Sequence, residues 1–231
     1  ATPILVVRMR DGFLPGLEQI EPAMTSATRA IVAVPLFGET TGLPSLQAFC
    51  QQRGIALVED VAQACGGSAS TLRDGTSLAG TFGDASAFSF YPTKVLCAAG
   101  DGGAISFRNP ALAERCRALR NHGMCADEYS EIGINSRLDS LQAALLRIGL
   151  RNMESSVRRR HEIATQYIST LAGLPLLQLP ANSPGHAWNY FVLRHPHRDE
   201  MRRRLTDRGV ATKVYYARPI HREPAYLKSF P

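Results

Sequence analysis

Along most of the chain, short apolar runs alternate with stretches of helical periodicity. Residues 3–7 are a short apolar run, the pattern of a buried strand, and 14–24 carries Leu17, Ile20 and Met24 at three- and four-residue spacing. Residues 30–37 (AIVAVPLF) read as a strand stopped by Gly38. Residues 45–53 read as a helix ending on Gly54, a residue suited to a left-handed C-cap. The strand at 55–58 then delivers Asp60. Segment 70–84 is polar and glycine-bearing, irregular or a small excursion, whereas 85–90 and 103–107 read as two further strands. Asn109-Pro110 opens a helix through Arg120, with Asn as N-cap and Pro in the first turn.

Residues 121–135 read as loop. The pattern at 137–150 is amphipathic, with Leu138, Leu141, Leu145 and Ile148 on one stripe, and helical periodicity resumes from Met153 to about Leu171. Beyond it, 188–193 and 211–216 flank a helix over 199–208, which gives the end of the chain a mixed α/β character. Strands alternating with helices at short intervals predict an α/β fold: a mostly parallel sheet covered by helices. The expected division is a large, cofactor-binding domain over 1–150, then a connector helix and a smaller mixed α/β domain over 151–231. In such sheets ligands sit at the carboxyl ends of the strands, where Asp60 and Lys94 both fall.

Composition narrows the class without naming a function. Of 231 residues, 45% are hydrophobic and 20% charged, the profile of an ordinary globular protein. The formal net charge of +6 raises the question of nucleic acid. The arginines argue against it, because runs such as Arg158-Arg159-Arg160 and Arg202-Arg203-Arg204 lie on expected helices without interleaved aromatics. A solvated helix face is the plainer reading; a positive field drawing in an anionic small molecule is the functional one. The five cysteines show no CxxC pair, which disfavours a zinc site or a disulfide framework. No apolar run approaches a membrane span and no signal peptide opens the sequence, so the expected setting is a reducing cytoplasm.

The candidate chemistry lies between Gly54 and Gly103. A strand ending on Asp60 and a second strand running into a turn that presents Lys94 supply a carboxylate and an amine, the pair a pyridoxal phosphate (PLP) site requires. EDVAQACGG, FGDASAFSFYPTK and GDGGAISF, with GINSRLDSLQAALL later, resemble the DegT/DnrJ/EryC1/StrS family of sugar aminotransferases. The resemblance implies the fold-type-I architecture of PLP-dependent transferases and amino transfer, from L-glutamate as donor, to a keto group of a nucleotide-linked sugar. It also implies a cytoplasmic homodimer with shared active sites. Family members are longer, so the chain is expected to lack an N-terminal portion and a C-terminal tail.

Carried onto this sequence, Lys94 is the Schiff-base nucleophile and proton shuttle, and Asp60 the partner of the pyridine nitrogen. The alternative for Asp60 is a strand-end carboxylate capping a backbone N–H. By the resemblance, Ala62 lies against the ring, Gln63 reaches the ring's phenolic oxygen and Asn135 reaches the cofactor phosphate of the partner subunit. Ser89 is placed to donate to a phosphate oxygen. Asn135 or Ser136 could equally be an ordinary helix N-cap. His122, His186 and His221 are solitary and take no assigned role. Cys65, Val95 and Cys97 depart from the common family residues, and Cys97, three positions after Lys94, could crowd the loop or be redox-sensitive. Two other functions compete: a non-catalytic scaffold, and a PLP-dependent sugar dehydratase. The dehydratase would have His where this chain has Lys94.

Overall fold

The structure, a computed structural model, describes residues 13–71 and 75–229. The expected strand at 3–7 lies outside the described residues. In chain order the elements are α1 (Leu17–Ile20), β1 (Ala30–Ala33), α2 (Leu43–Arg53), β2 (Ala56–Asp60), β3 (Ser68–Thr71), β4 (Gly75–Leu78), β5 (Ala85–Ser89) and β6 (Gly103–Phe107). There follow α3 (Pro110–Leu119), β7 (Met124–Cys125), β8 (Glu128–Tyr129), α4 (Ser140–Arg151), α5 (Met153–Leu171), α6 (Arg198–Thr206) and α7 (Pro224–Ser229). The main sheet has the order β1-β2-β5-β6; β1 and β5 both run parallel to β2, and β6 is antiparallel to β5. The architecture is the α/β arrangement expected, with a mixed sheet and helices packed on it.

Two apolar clusters cover the sheet's flanks. Leu43, Leu46 and Phe49 of α2 meet Leu57 of β2 and Ala33 of β1 in the larger one. Leu146 of α4 meets Leu96, Ala98 and Cys65 in the smaller, with Phe88 packed against both. Helix α2 ends as its sequence suggests. Gly54 takes φ 63° and its N–H returns to the carbonyls of Cys50 and Gln51. Asn109 caps α3, its Oδ1 accepting from the Ala111 N–H at 2.9 Å.

Several expectations need correction. The strand expected over 30–37 ends at Ala33 and passes into a single 3-10 turn, Leu36–Gly38. Within that turn Phe37 sits at φ 61°, a conformation no strand contains. The helix expected over 14–24 is one turn of α-helix followed by the 3-10 segment Glu21–Ala23. The polar excursion at 70–84 contains the antiparallel pair β3–β4, and the loop at 121–135 contains the small pair β7–β8. Residues 188–193 and 211–216 form no strand; only an isolated bridge, Gln178 to Arg194, remains. Helix α4 starts at Ser140 with Asp139 at its N-cap, so neither Asn135 nor Ser136 caps it. Its expected stripe is divided: Leu138, ahead of the helix, packs against the smaller cluster, Leu141, Leu145 and Ile148 are exposed, and Leu146 is the buried residue.

Candidate active site

The strand registers place the site residues before any side-chain contact is considered. Asp60 pairs with Ala87 across β2–β5, and Ser89 pairs with Gly103 across β5–β6. Paired residues share a face and alternate residues return to it. Asp60 and Ser89 therefore stand on one face of neighbouring strands, at the carboxyl end of both. Glu59, one residue earlier, points to the opposite face. It is fully buried and accepts from the N–H groups of Gly80 (2.8 Å) and Gly83 (2.6 Å) and from the Ser86 hydroxyl (3.2 Å). Gly83 has to be glycine here, because a Cβ would lie 2.7 Å from the Ala85 carbonyl and 2.8 Å from that of Leu57.

Lys94 follows β5 in a turn closed by its own N–H on the Tyr91 carbonyl at 2.9 Å. The loop behind it is pinned where Ala98 N–H meets Phe90 O (2.7 Å), Phe90 N–H meets Gly102 O (2.8 Å) and Ala99 N–H meets the Gln142 side chain of α4 (2.8 Å). Leu96 and Ala98, buried in the smaller core cluster, anchor the same loop. Cys97 points outward and is exposed. Cys65 is buried in that cluster, its Sγ 3.8 Å from the Met153 sulfur, and burial pushes its thiol up.

The polar groups of this face are incompletely used. Asp60 Oδ1 accepts from the Ala62 N–H at 3.0 Å, the capping contact weighed above, and the carboxylate makes no other bond among the described residues. Ser89 Oγ receives only the Tyr91 N–H, at 3.4 Å, which leaves its proton free to donate. The Lys94 amine has neither an ion pair nor a hydrogen bond among the described residues. Ala62 is half-buried beside Asp60. Gln63 is buried with both ends engaged: Oε1 accepts from the Phe37 N–H at 2.8 Å, and Nε2 donates to the Tyr216 hydroxyl at 2.9 Å. Asn135 is exposed, bridges Asn121 and accepts from Arg137 at 3.2 Å; no contact joins it to the other five residues among those described.

A wall that the sequence did not announce meets the site at Gln63. Residues 183–190 return to the turn after β1, where Ala187 N–H meets Gly38 O and Asn189 N–H meets Phe37 O, each at 2.9 Å. Trp188 takes φ 49° to make this approach. Phe37, Tyr190, Tyr215 and Tyr216 then group together. The Tyr190 and Tyr215 rings stack at 4.4 Å between centroids, and Phe37 stacks on Tyr216 at 6.4 Å. The groups that act on the Tyr190 phenol besides burial are the Thr93 and Tyr215 hydroxyls and the charges of Lys94 and Lys213. Burial pushes its pKa up, but these four neighbours outweigh burial and the net direction is down. The aromatic pairs in 190–191 and 215–216 were the available sequence signal, and their spacing read as strands.

The α/β sheet has the fold of the type I PLP-dependent transferases, shared with the solved aminotransferases it superposes on. The chain belongs to the DegT/DnrJ/EryC1/StrS aminotransferase family, whose pattern it matches over residues 1–231. It is 45% identical over 210 residues to the erythromycin biosynthesis sensory transduction protein EryC1 of Saccharopolyspora erythraea, covering 90% of this chain and 56% of that protein. It is 42% identical over 237 residues to a dTDP-3-amino-3,4,6-trideoxy-alpha-D-glucose transaminase of Streptomyces venezuelae, covering 100% of this chain and 60% of that one. Among solved structures, DesV of S. venezuelae in complex with a ketimine intermediate superposes with a TM-score of 0.87 at 40% identity. That match covers 96% of this chain and 59% of DesV. The chain thus spans between half and two thirds of the length of these relatives.

Proposed function

We propose that this chain is the cofactor-bearing part of a PLP-dependent aminotransferase. It would move an amino group from an amino-acid donor, L-glutamate in our reading, to a keto group on a nucleotide-linked sugar. The observation that carries the reading is the shared face of Asp60 and Ser89 with the Lys94 turn beyond it, each with unspent hydrogen-bonding capacity. That donor set suits the cofactor: an acid for a ring nitrogen, a hydroxyl for a phosphate and an amine for an aldehyde. The relative at 42% identity, a dTDP-sugar transaminase, supports the substrate class.

When bound, the cofactor supplies an electron sink for the carbanion left by proton removal. The chain's residues do the rest. Asp60, on a rigid strand end, holds a proton on the ring nitrogen through a charge-assisted hydrogen bond. Ala62 offers a methyl surface to the ring, and Ser89 donates to the phosphate. Gln63 would reach the ring's phenolic oxygen by exchanging its Tyr216 contact for it. Lys94 would hold the cofactor at its aldehyde carbon and, as a free amine, would move the proton. Asn135, turned outward and away from the other five, serves the site of a second copy. Residues 1–150 form the large domain in this reading, and 151–231 the connector and part of a smaller one. No helix among the described residues is long and apolar enough to cross a membrane, which accords with a cytoplasmic enzyme.

The test is borohydride reduction of the full-length protein followed by peptide mass mapping. The pyridoxyl mass is expected on the SFYPTK peptide, at Lys94. An adduct on another lysine, or none, would overturn the assignment. The relative named a sensory transduction protein keeps a non-catalytic role in view, and a protein without visible cofactor absorption would favour it.

A further inference from the structure

Of the hydrogen bonds that hold the segment carrying Lys94, three run backbone to backbone. Lys94 N–H closes on the Tyr91 carbonyl (2.9 Å), Phe90 N–H on that of Gly102 (2.8 Å) and Ala98 N–H on that of Phe90 (2.7 Å). A fourth comes from another element: the Ala99 N–H donates to Oε1 of Gln142, on α4, at 2.8 Å. Gln142 does not stand alone there. Leu138, Gln142 and Leu146 follow at four-residue spacing along α4 and its approach, and Gly149 continues their line. A Cβ at Gly102 would come within 3.1 Å of Leu138 Cδ1, and one at Gly100 within 3.2 Å of Gln142 Nε2. Leu146 meets Leu96 and Ala98 in the smaller cluster, and a Cβ at Gly149 would come within 2.9 Å of Leu96 Cδ1. This line, beside the exposed stripe, therefore lies along the loop after Lys94.

We propose that Gln142 is a positioning residue for Lys94. Its acceptor oxygen fastens the outgoing limb of the lysine turn to α4, so that the backbone carrying the amine keeps one place beyond the end of β5. The inference rests on Lys94 being the working amine, as proposed above. That amine makes no hydrogen bond or ion pair of its own among the described residues, so its place is set by its backbone. Leu96 and Ala98 hold the backbone by packing, which is non-directional, whereas a hydrogen bond fixes both distance and direction. Ala99 is exposed, so its N–H can turn to water when the Gln142 acceptor is lost. Losing that acceptor therefore costs the fold little. It costs the turn its register, and a displacement too small to unfold a chain is enough to spoil a reacting geometry.

The experiment compares two variants of the full-length protein: Gln142→Met, which keeps the length and loses the acceptor, and Gln142→Glu, which keeps an acceptor oxygen. In the cofactor-free form, hydrogen-exchange mass spectrometry over residues 95–100 reads the tie itself. Exchange there is expected to be about tenfold faster in Gln142→Met than in the wild type. In the cofactor-loaded form, the single-turnover half-reaction with L-glutamate is expected to slow about tenfold in Gln142→Met, less than a displacement of about 1 Å can cost. The donor concentration at half-saturation and the unfolding temperature should stay near those of the wild type. Gln142→Glu should bring both exchange and rate back to within about twofold, because a carboxylate accepts from the same N–H. A tie that merely steadies the fold would lower the unfolding temperature and leave the rate per loaded molecule alone. A Gln142→Met half-reaction within about twofold of wild type therefore overturns the proposal. A Gln142→Glu protein as slow as Gln142→Met does the same, as does a slowing that sedimentation equilibrium traces to lost dimer. Should Gln142→Met fail to fold, Gln142→Asn, one methylene too short to reach Ala99, takes its place on the same terms. A wild-type protein that takes up no cofactor would overturn the function proposed above, and this inference with it. A wild type that loads and reacts, beside an unchanged Gln142→Met, overturns this inference alone.

Discussion

Two carboxylates stand side by side at the end of β2 and face opposite ways, and their substitutions should part accordingly. Glu59→Gln leaves at least one buried N–H of the 80–83 loop without its anionic acceptor. We expect a loss of about 2–3 kcal/mol in denaturant unfolding, with turnover per cofactor-loaded molecule unchanged. Asp60→Asn should do the reverse. It keeps the size and the contact to Ala62 but removes the charge that, in the proposed function, would hold the cofactor ring protonated. Cofactor should still bind, and the single-turnover half-reaction should fall a hundred- to thousand-fold, about 3–4 kcal/mol. Near wild-type turnover in Asp60→Asn would sink its assignment. The sequence marked Asp60, Lys94 and Ser89 because their signal is local, a strand end and the turn after it. It passed over His186, which looked solitary. The ring is buried, stacks on Trp188 at 3.8 Å, and its Nδ1 accepts from the Trp188 N–H at 2.9 Å. Burial pushes its pKa down to about 4, with the nearby Glu39 charge opposing and His161 reinforcing. The folded value lies below the ordinary 6.5, so the unfolded chain binds the proton more readily. Stability from this group is full above 6.5 and is lost as the pH falls toward 4, by about 3 kcal/mol at most. Unfolding curves across that window should show a slope in the wild type that His186→Gln lacks.

Among the elements, those whose ends carry their own chemistry were the legible ones. Helix α3 begins where Asn109-Pro110 says it should, and α2 stops on Gly54. A Cβ at Gly54 would meet nothing within 4 Å, so the cost of Gly54→Ala is purely that of φ 63°. Thermal or denaturant unfolding should show a loss of about 1 kcal/mol with no change in cofactor uptake. Elements whose identity depends on distant partners were misread. Residues 188–193 have strand-like residues, but two of the N–H groups in and beside that run are spent on Phe37 and Gly38, and Trp188 at φ 49° cannot sit in a ladder. Helix α4 was recognised by its stripe, yet periodicity says only that one face is apolar and not what covers it. Within the chain, α4 uses Leu146 to reach the core, Leu138 ahead of it packs there too, and Leu141, Leu145 and Ile148 stay outside.

For the molecule as a whole, that stripe is exposed apolar surface, and the homodimer proposed above would cover it. Leu141 is 72% exposed and Ile148 58%, and Ile132 and Ile134, in the segment leading to Asn135, are 98% and 67% exposed. In the shared-site homodimer read from the sequence, this surface would be covered and Asn135 delivered to the other subunit. Leu141→Glu with Ile148→Glu in the full-length protein should weaken dimerisation about a hundredfold or more in sedimentation equilibrium, and activity should fall with it. A dimer as tight as the wild type would remove this face from the interface. The aromatic wall has a different kind of consequence, one of timing. Gln63 and Tyr216, joined by a hydrogen bond, are 153 positions apart, and Ser183 and Glu39 are 144 apart. At roughly 5–20 residues per second, the ribosome finishes the strand bearing Asp60 on the order of ten seconds before it adds Tyr216. From the addition of Lys94 onward the nascent chain carries both the acid and the lysine, and the Gln63–Tyr216 contact can close only after a further 122 residues (216 − 94) have been made.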